Sequence, residues 1–249
     1  MTKNFYNKVA QKFGNYHTPA KYSKEYQKGD PEQVFKDKLF ALSGNDKRVL
    51  DVGCADGRFT LSIASYFQNI TAIDLSTGML EAARKLQQEK AVKNVNFEEQ
   101  NAKKTTFPDG AFDLVYSRRG PTPFSEFYRL LKPGGSFVGI EIGEKDCQAI
   151  KEIFGRGQGY EEWNISRREQ VRQELEKSGC ITVFAQDYFY DEYYLSYEDL
   201  DLFLQGVPIF EDFDSEKDRK YLETYAAQFQ TEKGIRFPRH RVVAVAKRP

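Results

Sequence analysis

Residues 49–59 read VLDVGCADGRF, and the fold of the chain can be predicted from this stretch outward. Its apolar run ends in the acid Asp51, and small residues then let the backbone turn sharply and approach a ligand closely. A second apolar run, ITAI at residues 70–73, ends in another acid, Asp74. Two parallel strands joined by a crossover helix would bring both acids to the carboxyl edge of one sheet. Open α/β sheets bind ligands at that edge, so the stretch predicts a nucleoside-binding site.

Strands and helices alternate outward from this stretch, which predicts the α/β class with a doubly wound, mostly parallel sheet. Asp30 and Pro31 predict a helix cap and first turn, and Ser76 predicts another cap. We expect strands at 48–51, 70–74, 95–97, 112–116, 136–142, 181–184 (extending toward 190) and 241–246. We expect helices at 31–42, 59–67, 76–90, 121–131, 147–154, 166–177 and 215–229, with one more after Ser196.

The composition excludes several classes of protein. The 249 residues include 37 basic and 37 acidic residues, so no excess of positive charge attracts nucleic acid or an anionic membrane. Three scattered cysteines favour a reducing cytoplasm and show no metal-ligand spacing. No signal peptide or membrane-length apolar run is present, so we predict a cytoplasmic protein without a membrane partner or a metal. The late basic cluster Arg236, Arg239, His240 and Arg241 is expected to be solvated surface.

The glycine loop differs from the common phosphate-binding loops. A dinucleotide fingerprint counted from Gly53 would place glycines where Ala55 and Arg58 stand, and no Gly-Lys-Ser or Gly-Lys-Thr follows. The acids Asp51 and Asp74 repel phosphates, but they suit an ammonium group and the hydroxyls of a ribose. A ligand with an amino-acid end and a nucleoside end meets both demands, and S-adenosylmethionine is such a ligand.

Four motifs in order resemble the class I S-adenosylmethionine-dependent methyltransferases, in particular the group with the type 11 methyltransferase domain. These motifs are residues 50–57 (LDVGCADG), 73–76 with Met79-Leu80, 107–113 (FPDGAFD) and 130–135 (LLKPGG). The resemblance implies a Rossmann-like, seven-stranded sheet with an antiparallel last strand. It also implies methyl transfer from S-adenosylmethionine, with S-adenosylhomocysteine as the product.

The resemblance assigns cofactor contacts to a set of residues in and after the first motif. Asp51, Gly53, Cys54, Ala55 and Gly57 would line the methionine end. Asp74 would accept hydrogen bonds from both ribose hydroxyls, and Leu75 and Met79 would pack on the adenine. Asn101 and Ala102 fall where the family often has an acid that binds the adenine amino group. Ser117 and Arg118 would lie near the methionine carboxylate.

Several of these residues have a structural alternative. Asp51 could cap the next turn, and Asp74 could cap the helix at Ser76. Leu75 and Met79 could be ordinary core residues. Ala55 replaces the usual middle glycine, and Asn101 replaces an acid while keeping an acceptor oxygen.

The acceptor side is predicted from chemistry, because an in-line displacement at a sulfonium methyl needs alignment and exclusion of water. One domain over residues 1–249 would comprise an N-terminal lid (1–29), a cofactor-binding core (30–146) and a C-terminal part (147–249) with a helical insertion at 196–238. Tyr6, Tyr16 and Tyr22 of the lid are candidate acceptor contacts.

His17 and Glu141 are candidate general bases near the acceptor. The alternative for Glu141 is an ion pair with Arg118. Arg119 could bind a carboxylate or phosphate of the acceptor, or it could be solvated or paired with an acid.

Three functions remain open from the sequence. The leading prediction is methyl transfer to a small molecule by a monomer or homodimer. A tRNA or rRNA base methyltransferase is the second, although neutral charge disfavours a nucleic acid partner. The third is a non-catalytic module that binds S-adenosylmethionine without turning it over.

Overall fold

The computed structural model describes residues 3–16 and 18–249, in which helices alternate with the strands of one sheet. A short 3-10 helix, Ala64–Tyr66, follows the third of the helices named below. In chain order the elements are α1 Lys3–Phe13, β1 Tyr22–Tyr26, α2 Pro31–Phe40, β2 Gly44–Val52, α3 Arg58–Ile63, β3 Phe67–Asp74, α4 Thr77–Lys90, β4 Val95–Glu99, β5 Phe112–Arg118, α5 Phe124–Leu130, β6 Leu131–Ile142, α6 Gln148–Phe154, α7 Arg167–Lys177, β7 Ile181–Tyr194, α8 Tyr197–Gly206, α9 Arg219–Phe229, β8 Gln230–Thr231 and β9 Gly234–Lys247.

The sheet has the strand order β1-β7-β9-β6-β5-β2-β3-β4, with β8 paired to β9. The strands from β4 to β6 in this order are mutually parallel, whereas β9 is antiparallel to both β6 and β7. All seven predicted strands are present, and the α/β doubly wound fold is confirmed. Because β2 is parallel to both of its neighbours, β3 and β5, the carboxyl ends of these three strands lie side by side.

Two strands join the sheet beyond the predicted seven. β1 lies within the predicted N-terminal lid, for which no strand was expected, and it pairs antiparallel with β7 from Tyr22↔Tyr194 to Tyr26↔Tyr190. Its residues are mostly exposed, so it lacks the apolar alternation by which a strand is recognised. The expected insertion at 196–238 is helical only through Phe229, because β8 and the start of β9 form a hairpin there.

The local signals for the helix starts are confirmed. Asp30 accepts a hydrogen bond from the Glu32 amide (2.9 Å) at the start of α2. Ser76 accepts one from the Met79 amide (3.2 Å) at the start of α4, and Ser166 caps α7 in the same manner. Each side-chain oxygen satisfies an amide that the first turn of a helix leaves unbonded.

The abundant aromatic residues form a third core away from the glycine loop. Two apolar clusters fill the faces of the central sheet, and the third lies among α6, α8, α9 and the long ends of β7 and β9. In it Phe154 stacks on Phe210 with ring centroids 4.3 Å apart, while Tyr194 and Phe237 are fully buried. The C-terminal elements are therefore anchored to the sheet by aromatic packing.

The expectation that the late basic cluster is solvated surface is wrong for three of its four residues. Arg239, His240 and Arg241 are buried. The buried carboxylate of Asp146 accepts hydrogen bonds from Arg239 Nε (3.0 Å) and the His240 amide (3.0 Å), and it pairs with Arg241 at 2.6 Å. Asp146 lies 93 residues earlier than Arg239, so only the fold could show that these charges compensate one another.

Across residues 3–16 and 18–249, none of the helices combines the length and the apolar character that a membrane crossing requires.

Candidate cofactor and acceptor site

The glycine loop between β2 and α3 is attached to the end of β3. The amides of Gly53 and Cys54 both donate to the Ile73 carbonyl, at 2.9 and 3.1 Å. The backbone at Gly57 is left-handed (φ +68°), and a Cβ there would lie 2.6 Å from Cζ of Phe97. Glycine is therefore required at 57 by both conformation and space. Ala55 adopts a left-handed φ of 47° without being glycine, so this turn is held under strain.

Asp51 is buried at the end of β2 and accepts two hydroxyl hydrogen bonds. Thr60 Oγ1 (2.5 Å) and Tyr116 Oη (2.7 Å) both donate to its Oδ2. Burial raises the pKa of Asp51 to about 6, although the two hydroxyls act in the opposite direction. The carboxylate of Asp51 thus helps to hold α3 and β5 in place. Little positive charge lies near it to compensate its own negative charge.

Asp74 closes the glycine loop with its two carboxylate oxygens. Oδ2 accepts from the Ala55 amide (3.0 Å), and Oδ1 accepts from the Ser76 amide (2.8 Å). Burial raises the pKa of Asp74, against these backbone bonds. Asp74 thus has the structural role at the start of α4 that was predicted as its alternative. Each oxygen still has lone-pair capacity for a ligand donor, since a carboxylate offers about four acceptor positions.

The four predicted adenine contacts differ in exposure. Leu75 is 43% exposed directly after Asp74, whereas Met79 is fully buried in the first turn of α4. Asn101 is exposed and its Oδ1 accepts from the Lys103 amide (3.0 Å), while Ala102 is buried. Leu75 and Asn101 therefore present surface to solvent, whereas Met79 and Ala102 are part of the protein interior. Cys54 is also buried, and burial raises the pKa of its thiol.

Helix α1 and the turn after it cover the glycine loop. Asn7 Oδ1 accepts from the Ser76 hydroxyl (2.6 Å), and the Tyr16 amide donates to Asp56 Oδ2 (3.0 Å). The rings of Tyr6 and Tyr16 meet edge to face with centroids 5.5 Å apart. Burial raises the pKa of both phenols, and among the further influences are Asp74 for Tyr6 and Arg119 for Tyr16. The turn after α1 and the ring of Tyr6 that packs on Tyr16 thus lie against the glycine loop.

The end of β5 carries two arginines that share one acid. Arg118 Nε donates to Glu32 Oε2 (2.8 Å), and Arg119 Nη1 donates to the other oxygen of Glu32. Burial alone would raise the pKa of Glu32, but the guanidiniums of Arg119 and Arg118 hold it at about 2. Arg118 also lies over the Phe59 ring at 5.2 Å. Two positive charges against one negative charge leave this group with a net positive charge.

Two other predicted residues, Ser117 and Glu141, have definite neighbours. Ser117 is fully buried, and its hydroxyl lies 3.3 Å from the carbonyl oxygens of Val52 and Pro121. Glu141 is buried on β6 and accepts from Arg167 Nη2 (3.1 Å), so the alternative pairing with Arg118 does not occur. Burial raises the pKa of Glu141 against the effect of Arg167.

Tyr22 lies on β1 with its ring centroid 5.2 Å from that of Tyr194, at the other end of the sheet order from β3 and β4. His17 lies outside the described residues.

Four residues of the site escaped the sequence interpretation. Glu32 follows a helix cap, Thr60 and Tyr116 occur in apolar runs, and Arg167 belongs to a capping motif. The local sequence therefore explained each of these residues without a role in the site. Their contacts join residues between 9 and 87 positions apart, and no spacing rule signals such pairs.

Residues 49–135 match a family model described as "Methyltransferase domain". The chain is 34% identical over 103 residues to "Uncharacterized methyltransferase YcgJ" of Bacillus subtilis (strain 168), covering 39% of this chain and 41% of that protein. It is 33% identical over 116 residues to "Demethylmenaquinone methyltransferase" of Lactococcus lactis, covering 43% of this chain and 46% of that protein. The chain thus spans less than half the length of these relatives.

A solved structure described as a functionally unknown protein from Deinococcus radiodurans R1 has the same fold across the whole chain. Its TM-score is 0.66 at 20% identity, and the match covers 99% of this chain and 100% of that one. This likeness shows the fold alone, since one fold can support many reactions. Residues 49–135 thus match a methyltransferase domain, the kind of domain that the glycine loop and the downstream motifs resemble, and the solved structure shares the fold of the whole chain.

Proposed function

We propose that this protein transfers a methyl group from S-adenosylmethionine to a small-molecule acceptor by in-line displacement. The observation that carries the proposal is the pair of carboxylates, Asp51 and Asp74, on either side of a strained glycine loop. This arrangement lies inside the segment that matches the methyltransferase domain. Small-molecule chemistry is supported by the name of the Lactococcus lactis relative, which refers to a quinone precursor.

The residues at the loop fit the proposed cofactor. In the described part of the chain, neither Asp51 nor Asp74 forms a salt bridge, and burial raises the pKa of both. An ammonium group and ribose hydroxyls would supply the missing donors. Leu75, 43% exposed, provides an apolar surface for a flat base beside Asp74. The cofactor would contribute an electrophilic methyl group on a sulfonium.

We assign the cofactor-holding roles on this basis. Asp51, Gly53, Cys54, Ala55 and Gly57 bind the methionine end, and Asp74 binds the ribose. Leu75 and Met79, with Asn101 and Ala102, form the adenine side. Arg118, supported by buried Ser117, lies at the methionine carboxylate.

Helix α1 and its following turn serve as the lid in this proposal. The bonds from Ser76 to Asn7 and from Tyr16 to Asp56 close the loop from above, and the rings of Tyr6 and Tyr16 exclude water. An in-line displacement depends on the alignment of nucleophile and methyl group, and the exclusion of water prevents side reactions at the methyl group. Glu141 and His17 stay predicted bases, and Tyr22 and Arg119 stay predicted acceptor contacts.

Calorimetry with an Asp74→Asn variant tests the cofactor assignment. Asparagine keeps one acceptor oxygen for the loop amides but loses the charge, so we expect affinity for S-adenosylmethionine to fall by about tenfold to a hundredfold. Asp109→Asn is the matched control, because this acid is 80% exposed and pairs with Arg129. Unchanged affinity in Asp74→Asn would remove Asp74 from the site.

A single-turnover experiment distinguishes an enzyme from a binding module. Methyl-labelled S-adenosylmethionine is incubated with excess protein and a fractionated pool of metabolites, and a parallel reaction contains total RNA. We expect S-adenosylhomocysteine to form with a metabolite fraction. Tight cofactor binding without this product in any fraction would favour the non-catalytic module, and product with RNA alone would favour a base methyltransferase.

A further inference from the structure

A cavity of about 160 Å³ opens beyond the carboxyl end of β6. Its walls come from the end of β6, from α6, from the segment between α6 and α7, and from the first residues of α7. Residues that line it include Ile142, Glu144, Lys151, Glu162, Arg167 and Ile209. The walls thus combine apolar surface with charged side chains, the composition expected of a site for a small polar molecule.

Lys151 differs from the other buried charges of this region because its ammonium has no counterion. The residue is 5% exposed, and none of the residues in 3–16 or 18–249 forms a salt bridge or a side-chain hydrogen bond with its Nζ. Its described side-chain contact is with the ring of Trp163, whose centroid lies 5.4 Å from Nζ. Buried charges are normally paired, so an ammonium in this position is suited to a partner from outside the chain.

The other buried or half-buried charges around the cavity already have partners. The Arg167 amide donates to Glu144 (3.1 Å), and its guanidinium donates to Glu141 (3.1 Å). Asp146 is occupied by Arg239 and Arg241. Glu162 is exposed at the rim, where water solvates it. Lys151 is therefore the charge within the cavity that a bound anion would neutralise.

The cavity lies at the same edge of the sheet as the glycine loop. β6 is parallel to β5, and the Arg119 amide donates to the Ile140 carbonyl (2.8 Å), which ties the two strand ends together. The cavity follows β6 directly, at Ile142 and the next residue. A molecule held there lies beyond the strand that neighbours β5, and β5 ends at Arg118, which the proposed function assigns to the cofactor. This placement suits the acceptor rather than a ligand unrelated to the reaction.

We propose that Lys151 binds an anionic group of the methyl acceptor, a carboxylate or a phosphate, in this cavity. The identification of the bound molecule as the methyl acceptor rests on the proposed function. The anion site itself rests on the geometry around Lys151. Lys151 is then a specificity-determining residue: it selects acceptors that carry an oxyanion and leaves the methyl donor unaffected.

Trp163 provides a direct test, because it is the single tryptophan of the chain and contacts Lys151. Tryptophan emission of the intact protein is followed while inorganic phosphate or acetate is added at constant ionic strength, with glycerol as the uncharged probe. We expect a saturable change with at least one anion and none with glycerol. A response to phosphate but not to acetate would identify a phosphate site. A response to acetate but not to phosphate would identify a carboxylate site.

Two variants and one control complete the test. Lys151→Met should weaken the anion response at least tenfold, the scale of a lost charge-assisted hydrogen bond, and Lys151→Arg should retain it. Lys145→Met is the control, since this exposed lysine does not line the cavity. A response in Lys151→Met equal to that of the wild-type protein, or no saturable response with either anion up to tens of millimolar, would overturn the inference.

Calorimetry of S-adenosylmethionine binding on the same samples separates this inference from the proposed function. Binding of the cofactor by the wild-type protein and by Lys151→Met, with no anion response in either, contradicts the anion site alone. A saturable anion response in a protein that does not bind S-adenosylmethionine contradicts the proposed function and leaves the anion site supported.

Discussion

Replacing Asp51 with asparagine should stabilise the free protein, although Asp51 is central to the proposed site. The carboxyl is 3% exposed, and burial raises its pKa to about 6 from an ordinary value of 3.8. This difference corresponds to about 3 kcal/mol, at about 1.36 kcal/mol for each pH unit. Asparagine cannot ionise, yet its oxygen can still accept from the hydroxyls of Thr60 and Tyr116.

The sign of the pH dependence follows from linkage. The folded protein binds the Asp51 proton more tightly than the unfolded chain does, so the wild-type protein loses stability as pH rises from about 3.8 to about 6. Above pH 6 the loss is complete. We expect Asp51→Asn to be more stable than the wild-type protein by up to about 3 kcal/mol at pH 7.5, with the difference shrinking toward pH 4.

Urea unfolding followed by circular dichroism between pH 4 and 8 measures this difference. Asp113→Asn is a control of opposite sign. Burial would raise the pKa of Asp113, but Lys132 and the Arg48 amide lower it, so removing this carboxylate should destabilise the protein at neutral pH. The reasoning about Asp51 is refuted if Asp51→Asn is no more stable than the wild-type protein at pH 7.5, or if the difference does not change with pH.

Two further predictions concern the acceptor side and the lid. The pKa of Glu32 is about 2 against an ordinary 4.5, so Glu32→Gln should destabilise the protein by about 3 kcal/mol at pH 7. A carboxyl whose pKa is lowered by folding stabilises the protein above its unfolded pKa, so the difference in unfolding free energy between the wild-type protein and Glu32→Gln should narrow below pH 4.5. A difference in urea titrations that persists at lower pH would contradict the shared ion pair. Asn7→Ala removes the bond from Ser76 to α1 and should accelerate dissociation of S-adenosylmethionine in stopped-flow experiments. Lys8→Ala, on the exposed side of the same helix, should not change that rate, and equal rates in both variants would show that α1 does not cover the cofactor.

The fold class and the position of the glycine loop could be predicted from the sequence alone. Both depend on local patterns: apolar runs of strand length, caps such as Ser76, and the glycine at 57 that a left-handed turn requires. Asp51 and Asp74 could be predicted from the sequence to lie at the same edge of the sheet, because the carboxyl ends of adjacent parallel strands must lie together. Such inferences need no knowledge of contacts between distant residues.

The distribution of charges around the ends of β5 and β6 became known only from the contacts between distant elements. The basic cluster near residue 240 is expected at the surface from its composition, but Asp146 draws Arg239 and Arg241 into the interior. Likewise, Glu32 on α2 pairs with two arginines at the end of β5, and within residues 3–16 and 18–249 Lys151 has no counterion beside its cavity. A charge is buried or exposed according to the partner that the fold brings to it, and partners from distant elements leave no periodic trace in the sequence.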